Sequence, residues 1–142
     1  MLTKRKLSVQ LDERNRKVNA AEIVQEFYTR MNTNDFNAAG QMLSDDYVLE
    51  WPQSRERIRG RRNFAALNSE YPAHGPWRFK INRIVENETE AVSDVSITDG
   101  VQEARAITFS TVRQGKIVRQ VEFWPESYQA PENRRHLVEM ME

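Results

Sequence analysis

The sequence predicts an α+β domain, with three helices packed on one face of an antiparallel sheet. Three observations carry this. Apolar residues recur at helical spacing through roughly the first half of the chain, they alternate with a period of two around Tyr47 and again from Trp77 onward, and Asp99-Gly100 and Gln114-Gly115 punctuate the second half as turns.

Residues 1 to about 18 form a separate basic arm, in which Lys4, Arg5, Lys6, Arg14, Arg16 and Lys17 outweigh Asp12 and Glu13. The alternation of Leu7, Val9 and Leu11 suits a strand added to a sheet edge, and a mobile polar arm fits equally. The domain proper runs from 19 to 142. Asn19 caps the first helix, with Glu22 three residues on, and Ile23, Val24, Phe27, Tyr28 and Met31 make its apolar stripe. Asn34-Asp35 breaks that helix and starts a shorter one bearing Phe36, Ala39, Met42 and Leu43. Tyr47, Leu49 and Trp51 then alternate with Val48 and Glu50 until Pro52 stops the strand.

A charged loop, Gln53 to Arg59, leads to Gly60 and a third helix with Phe64, Leu67 and Tyr71 on one face and Pro72 at its end. Strands follow. Trp77, Phe79, Ile81 and Val85 share a parity, the segment Val92 to Thr98 comes next, then Ala104 to Val112 and Lys116 to Trp124.

Composition removes several function classes. The 142 residues suit one domain with a real core, and 21 basic against 21 acidic residues give no field favouring nucleic acid or a membrane surface. Without cysteine there is no disulfide, zinc-thiolate or thiol chemistry. His74 and His136 are too few and too far apart for a histidine metal site or a Ser-His pair, so neither metal nor cofactor is expected. No apolar run is long enough to span a bilayer, and the start is not a signal peptide, so a cytoplasmic protein is expected.

The most informative stretch is Glu122-Phe123-Trp124-Pro125-Glu126-Ser127. Alternation puts Val118, Gln120, Glu122 and Trp124 on one face of the last strand, and Ile117, Arg119, Val121 and Phe123 on the other. Glu122 is therefore a carboxylate beside an aromatic wall, suited to act as a general base or to accept a hydrogen bond from a ligand hydroxyl. Pairing with Arg105 across the sheet is the structural alternative. Asp94, among Val92, Ser96 and Thr98, is either a second pocket acid or a residue of the solvent face. Trp51, Trp77 and Trp124 suit an aromatic box, with Trp51 and Trp124 better placed. The run Arg55, Arg57, Arg59, Arg61 and Arg62 reads as a solvated loop and helix start, with Arg57 expected to anchor that loop over the pocket mouth.

Several of these pieces, in this order, resemble the SnoaL-like branch of the nuclear transport factor 2-like superfamily. They are Phe27-Tyr28, Asn34-Asp35-Phe36, Leu43 to Tyr47, Trp51-Pro52-Gln53-Ser54, Glu56 to Gly60, Gly115 to Arg119 and Glu122 to Glu126. The resemblance implies a cone-shaped, cystatin-like roll, in which a strongly curved sheet wraps a helix and leaves a hydrophobic pocket at its open end, commonly as a dimer through the sheet. It spans enzymes and binders alike. Ketosteroid isomerase-like members carry polar catalytic groups at positions that fall here on Trp51, about Phe27 and about Ile107, so that chemistry is not expected. Epoxide hydrolase-like members use an acid on the last strand, which Glu122 matches. Their Arg-x-Asp has no clean counterpart around Asp94 to Thr98.

The reading that results is a binder of a small, mostly apolar molecule, in a pocket lined by Trp51, Trp124, Phe27 and Glu122, with Arg57 and Arg105 as further contacts. A cofactor-independent lyase, isomerase or hydrolase using Glu122 is the alternative, and a protein-interaction module is a third. A homodimer is expected through a sheet face that includes Ala104, Ala106 and Thr108 beside Arg119, Val121 and Phe123.

Overall fold

A computed structural model describes residues 18–142, so the basic arm lies outside the described residues apart from its last position. The elements are α1 (Ala20–Met31), α2 (Phe36–Gly40), β1 (Leu43–Trp51), β2 (Glu56–Arg59), α3 (Gly60–Glu70), β3 (Arg78–Glu86), β4 (Glu90–Thr98), β5 (Glu103–Arg113) and β6 (Lys116–Phe123), then a 3-10 turn over Glu132–Leu137. The six strands make one sheet in the order β2-β1-β6-β5-β4-β3. All ladders are antiparallel except β1 with β6, where the chain returns after β5 to pair alongside its first strand in the same direction.

Helix α1 begins as expected, the Asn19 side chain accepting from the Glu22 amide at 3.0 Å. Its stripe of Ile23, Val24, Phe27, Tyr28 and Met31 is buried, and the helix contacts β3, β4, β5 and β6 in turn. Removing each such side chain from water contributes roughly 1.5–3 kcal/mol, so this one helix organises the core. The sheet's inner face answers with Ala91, Val95, Ile97, Ala106, Val112 and Ile117.

The second helix is shorter than expected. It ends at Gly40, Met42 lies in the turn, and Leu43 opens β1. The loop after Pro52 is interrupted by a short strand, β2, paired from Val48↔Arg59 to Trp51↔Glu56. Its alternating charges hid it, because a strand with both faces near solvent carries no apolar period.

Two irregularities overturn expected side-chain faces. The β3/β4 register shifts between Ile81 and Arg83, so Ile84 packs on the core and Val85 is 48% exposed. The β5/β6 register shifts beside Val112, and Ile117, expected on the outer face, is fully buried with Gln120. An extra residue in one strand reverses every side chain beyond it, and such bulges also bend the strand.

Strand β3 is a sheet edge, and two asparagines cover it. Asn32 donates to the Phe79 carbonyl at 2.9 Å and accepts from its amide at 2.7 Å. Asn34 does the same with Trp77, at 2.8 Å both ways. Each side-chain amide thus imitates a neighbouring strand. Asn34 also holds φ at 62°, a left-handed conformation asparagine tolerates better than most residues. Asn34→Ala should therefore cost about 1–3 kcal/mol in urea unfolding, since it loses both hydrogen bonds and the favourable φ. Asn34→Gly should recover only the conformational part.

Candidate functional site

The inner face of the sheet carries one polar row through the apolar core. Cross-strand register places Ser93 of β4 opposite Thr108 of β5, and Thr108 opposite Glu122 of β6. The Thr108 hydroxyl donates to one Glu122 oxygen at 2.6 Å, and the Trp51 indole Nε1–H donates to the other at 3.0 Å. A second row lies below: the Tyr47 hydroxyl donates to Gln120 at 2.5 Å, and the Gln120 amide donates to Ser110 at 3.0 Å. The Ser93 hydroxyl is buried and closes no hydrogen bond of regular geometry, although it lies close enough to Tyr28 to influence its phenol.

The electrostatics follow from this. Burial disfavours the charged carboxylate and raises the Glu122 pKa above its ordinary value, while the Thr108 and Trp51 hydrogen bonds pull it back down. Residue Glu122 as a whole is only half-buried, but its carboxylate is turned into the domain, between Trp51 and Thr108. Burial and then the Glu122 charge raise Tyr28 and Tyr47 in turn, so both phenols stay protonated donors.

Two cavities lie side by side here, and Gln120 and Glu122 line the inner one. The outer cleft, about 400 Å³, opens among Trp51, Leu67, Tyr71, Trp77, Phe79, Ile97, Ala104 and Trp124, with Gln53, Glu56, Asn68, Gln102, Glu103 and Glu126 among its polar groups. The inner cavity, about 50 Å³, is lined by Phe27, Tyr28, Leu49, Phe64, Gln120 and Glu122 together with Trp51, Asn68, Phe79, Ile97 and Trp124. Trp51 and Trp124 line both spaces, their rings edge-to-face at 6.3 Å, so they stand between the open cleft and the acid. Trp124 follows β6 and is fixed by a third side-chain amide: Gln53 accepts from its backbone N–H at 2.6 Å and donates to its carbonyl at 3.2 Å.

The structure brings together Glu122, Trp51, Trp124 and Phe27, with Phe27 almost fully buried and reaching only the inner cavity. It separates the other expected site residues from them. Asp94 lies on the outer face, where Asn82 and the Nε–Nη2 edge of the Arg105 guanidinium donate to it, and Arg105 in turn holds its pKa below the ordinary carboxylate value. Asp94 is thus no partner for Glu122, and Arg105 is neither a pocket contact nor the counter-charge of Glu122. Arg57 is also on the outer face, sharing Glu50 with Arg119, so it does not anchor a loop over the mouth. Its neighbour Glu56 lines the cleft instead. Ile107 likewise points outward, and the inward positions beside it are Ala106 and Thr108.

Sequence reasoning missed Thr108, Gln120 as a partner of Tyr47, Gln53 and Asn68. A hydroxyl residue in an alternating strand gives no warning of its partner. The legible signal was Gln120 and Glu122 at like parity, two polar residues on a face that had to be buried. Among the described residues, no cluster of three or more metal-ligating side chains occurs, and no helix is long and apolar enough to cross a membrane.

A family profile, the SnoaL-like domain, matches residues 24–120. Among solved structures, a Kribbella flavida DSM 17836 protein provisionally assigned as a ketosteroid isomerase is 31% identical, with a TM-score of 0.77 over 84% of this chain and 87% of its own. A nuclear transport factor 2-like protein of unknown function from Burkholderia xenovorans LB400 is 27% identical, with a TM-score of 0.70 over 86% of this chain and 94% of its own. An M. tuberculosis epoxide hydrolase of the LEH-like type is 22% identical, with a TM-score of 0.59 over 72% of this chain and 80% of its own, which is a likeness of fold alone. No curated protein matches the chain.

The raised Glu122 pKa has a stability consequence. The folded state holds the Glu122 proton more tightly than the unfolded chain does, so this contribution is present below the ordinary value of 4.5 and is lost as pH rises through the folded pKa. In urea unfolding from about pH 5 to about pH 8, wild type should therefore lose stability relative to Glu122→Gln, which cannot ionise. Trp51→Phe removes one of the donors that favour the anion, so titration of Glu122 by carbon NMR should move further up in that variant.

Proposed function

The chain belongs to the SnoaL-like domain family, and from that premise we propose that it binds a small, mostly apolar molecule in the cleft between Trp51, Trp77 and Trp124. One observation carries the reading: an aromatic-walled opening of about 400 Å³ leads down to a single half-buried carboxylate. Such a volume suits a compact ligand, with walls that supply affinity and a few polar groups that set orientation. Preformed walls also lower the ordering cost of binding. Tryptophan emission should be quenched on titration with an alicyclic or aromatic compound of this size, and Trp124→Ala should weaken that response about tenfold or more. A flat titration across such compounds would remove the reading.

A second reading has its own support. Glu122 has two neutral donors, no cationic partner among the described residues and a raised pKa, which is what a general base needs once a substrate proton is within reach. The inner cavity of about 50 Å³ has room for a reacting group or one or a few waters. If the protein is an enzyme, Glu122→Gln should lower turnover at saturating substrate by ~10²–10⁴-fold, whatever its effect on affinity.

We further propose a homodimer through the outer sheet face, keeping Arg119, Val121 and Phe123 as expected but with Ile107 and Phe109 in place of Ala104, Ala106 and Thr108. Ala106 and Thr108 are buried beneath the helices, whereas Ile107, Phe109, Val121 and Phe123 face outward. Phe109 is 48% exposed and packs edge-to-face on Phe123 at 6.2 Å. The Arg105–Asp94 pair lies on one side of this strip and the Glu50–Arg119 pair on the other, so a two-fold axis lets the strip cover itself while the ion pairs form a rim. Sedimentation should give a dimer at micromolar concentration and a monomer for Phe109→Asp.

A further inference from the structure

The charges around the cleft are one-sided. Glu56, Glu103 and Glu126 line it, Glu122 stands beneath it, and among the described residues no lysine, arginine or histidine lines either cavity. None of these four acids forms an ion pair among the described residues. Alternation along β2 is part of the reason, since it turns Glu56 toward the cleft and sends Arg57 to Glu50 on the opposite face. The negative side of the strand is thereby left facing the aromatic walls without its neutralising neighbour.

The hydrogen-bond inventory is equally one-sided. Both Glu122 oxygens accept one neutral donor and keep further acceptor capacity. Of the amides at the cavities, Asn68 gives one N–H to the Phe64 carbonyl at 2.9 Å and Gln120 gives one to Ser110 at 3.0 Å, while the ionised Glu122 carboxylate offers acceptors alone. A ligand group reaching Glu122 must therefore bring its own N–H or O–H. A cation gains most, because the indole faces at the cleft attract positive charge and a hydrogen bond between two charged groups is about twice as strong as a neutral one.

We propose that the cleft takes a small hydrophobic amine in its protonated form, its ammonium directed at Glu122 and its hydrocarbon body held among the tryptophans. This rests on the reading of the cleft as a small-molecule site and narrows it to a ligand class. The inner cavity, about 50 Å³, has room for an ammonium-sized group where a larger body must stay in the outer cleft. The rim acids contribute long-range attraction that salt screens, whereas the Glu122 contact, removed from water, is screened much less.

Three probes of one shape and different charge test this on the wild-type full chain: benzylamine, benzyl alcohol and benzoate, titrated calorimetrically at neutral pH. Benzylamine should bind about tenfold or more tightly than benzyl alcohol, and benzoate more weakly than either. Glu122→Gln should weaken benzylamine far more than benzyl alcohol and so remove most of the amine's preference. Equal affinity for amine and alcohol, or a preference for benzoate, overturns the amine class while leaving the cleft as an apolar site. A preference for the amine that survives Glu122→Gln overturns the assignment of its ammonium to Glu122. Failure of all three probes to bind overturns both readings. The first comparison uses wild type alone, so it holds even if the Gln variant does not fold.

Discussion

Three side-chain amides, each gripping both backbone groups of a residue far away in sequence, hold the mouth of this domain in shape. Asn32 grips Phe79, Asn34 grips Trp77, and Gln53 grips Trp124. All three gripped residues line the cleft. An amide carries a donor and an acceptor side by side, as a peptide unit does, so it can pair with backbone where no strand is available. At the rim the sheet runs out of neighbours while the walls still need fixed positions, and these side chains supply what further ladders would have supplied. The aromatic spacing, and with it any selectivity for ligand shape, depends on them.

Below the mouth the governing constraint is the cost of placing a carboxylate in an apolar interior. Glu122 is tolerated because Thr108 and Trp51 each give it a hydrogen bond, and its pKa stays raised because neither donor carries charge. Trp51 serves the acid and the wall at once: its N–H faces Glu122, while its ring meets Trp124 and both cavities. A ligand that moved this indole would change the donor set of the acid in the same step.

The opposite face of the sheet handles its charges differently. Glu50 is shared by Arg57 and Arg119, and Asp94 is bound by Arg105 and Asn82, so both acids sit below their ordinary pKa. Near solvent such pairs contribute little to stability, and their arginines lie on the face away from the cleft. In this chain the sheet thus keeps ion-paired acids on its outer face, while the described acids at the cleft, Glu56, Glu103, Glu122 and Glu126, form no ion pair among the described residues.

How much of this was legible depends on which physics each part obeys. Helix α1, its Asn19 cap, the stripe from Ile23 to Met31 and the alternation of Tyr47, Leu49 and Trp51 are local patterns, and the sequence alone determined them. It also determined that Glu122 and Trp124 share a face, because two residues of like parity with no bulge between them must do so. Only the tertiary structure decided the rest. The bulges that turned Ile84 and Ile117 inward depend on how two strands register, which no single strand encodes. The partners of Glu122 and Asp94 lie on other strands: for Asp94 the choice fell to Arg105 on the outer face, and for Glu122 to Thr108 and Trp51 on the inner one. A charge pattern names the residues that need partners, but only the folded sheet, by setting which side chains share a face at bonding distance, decides which partners they get.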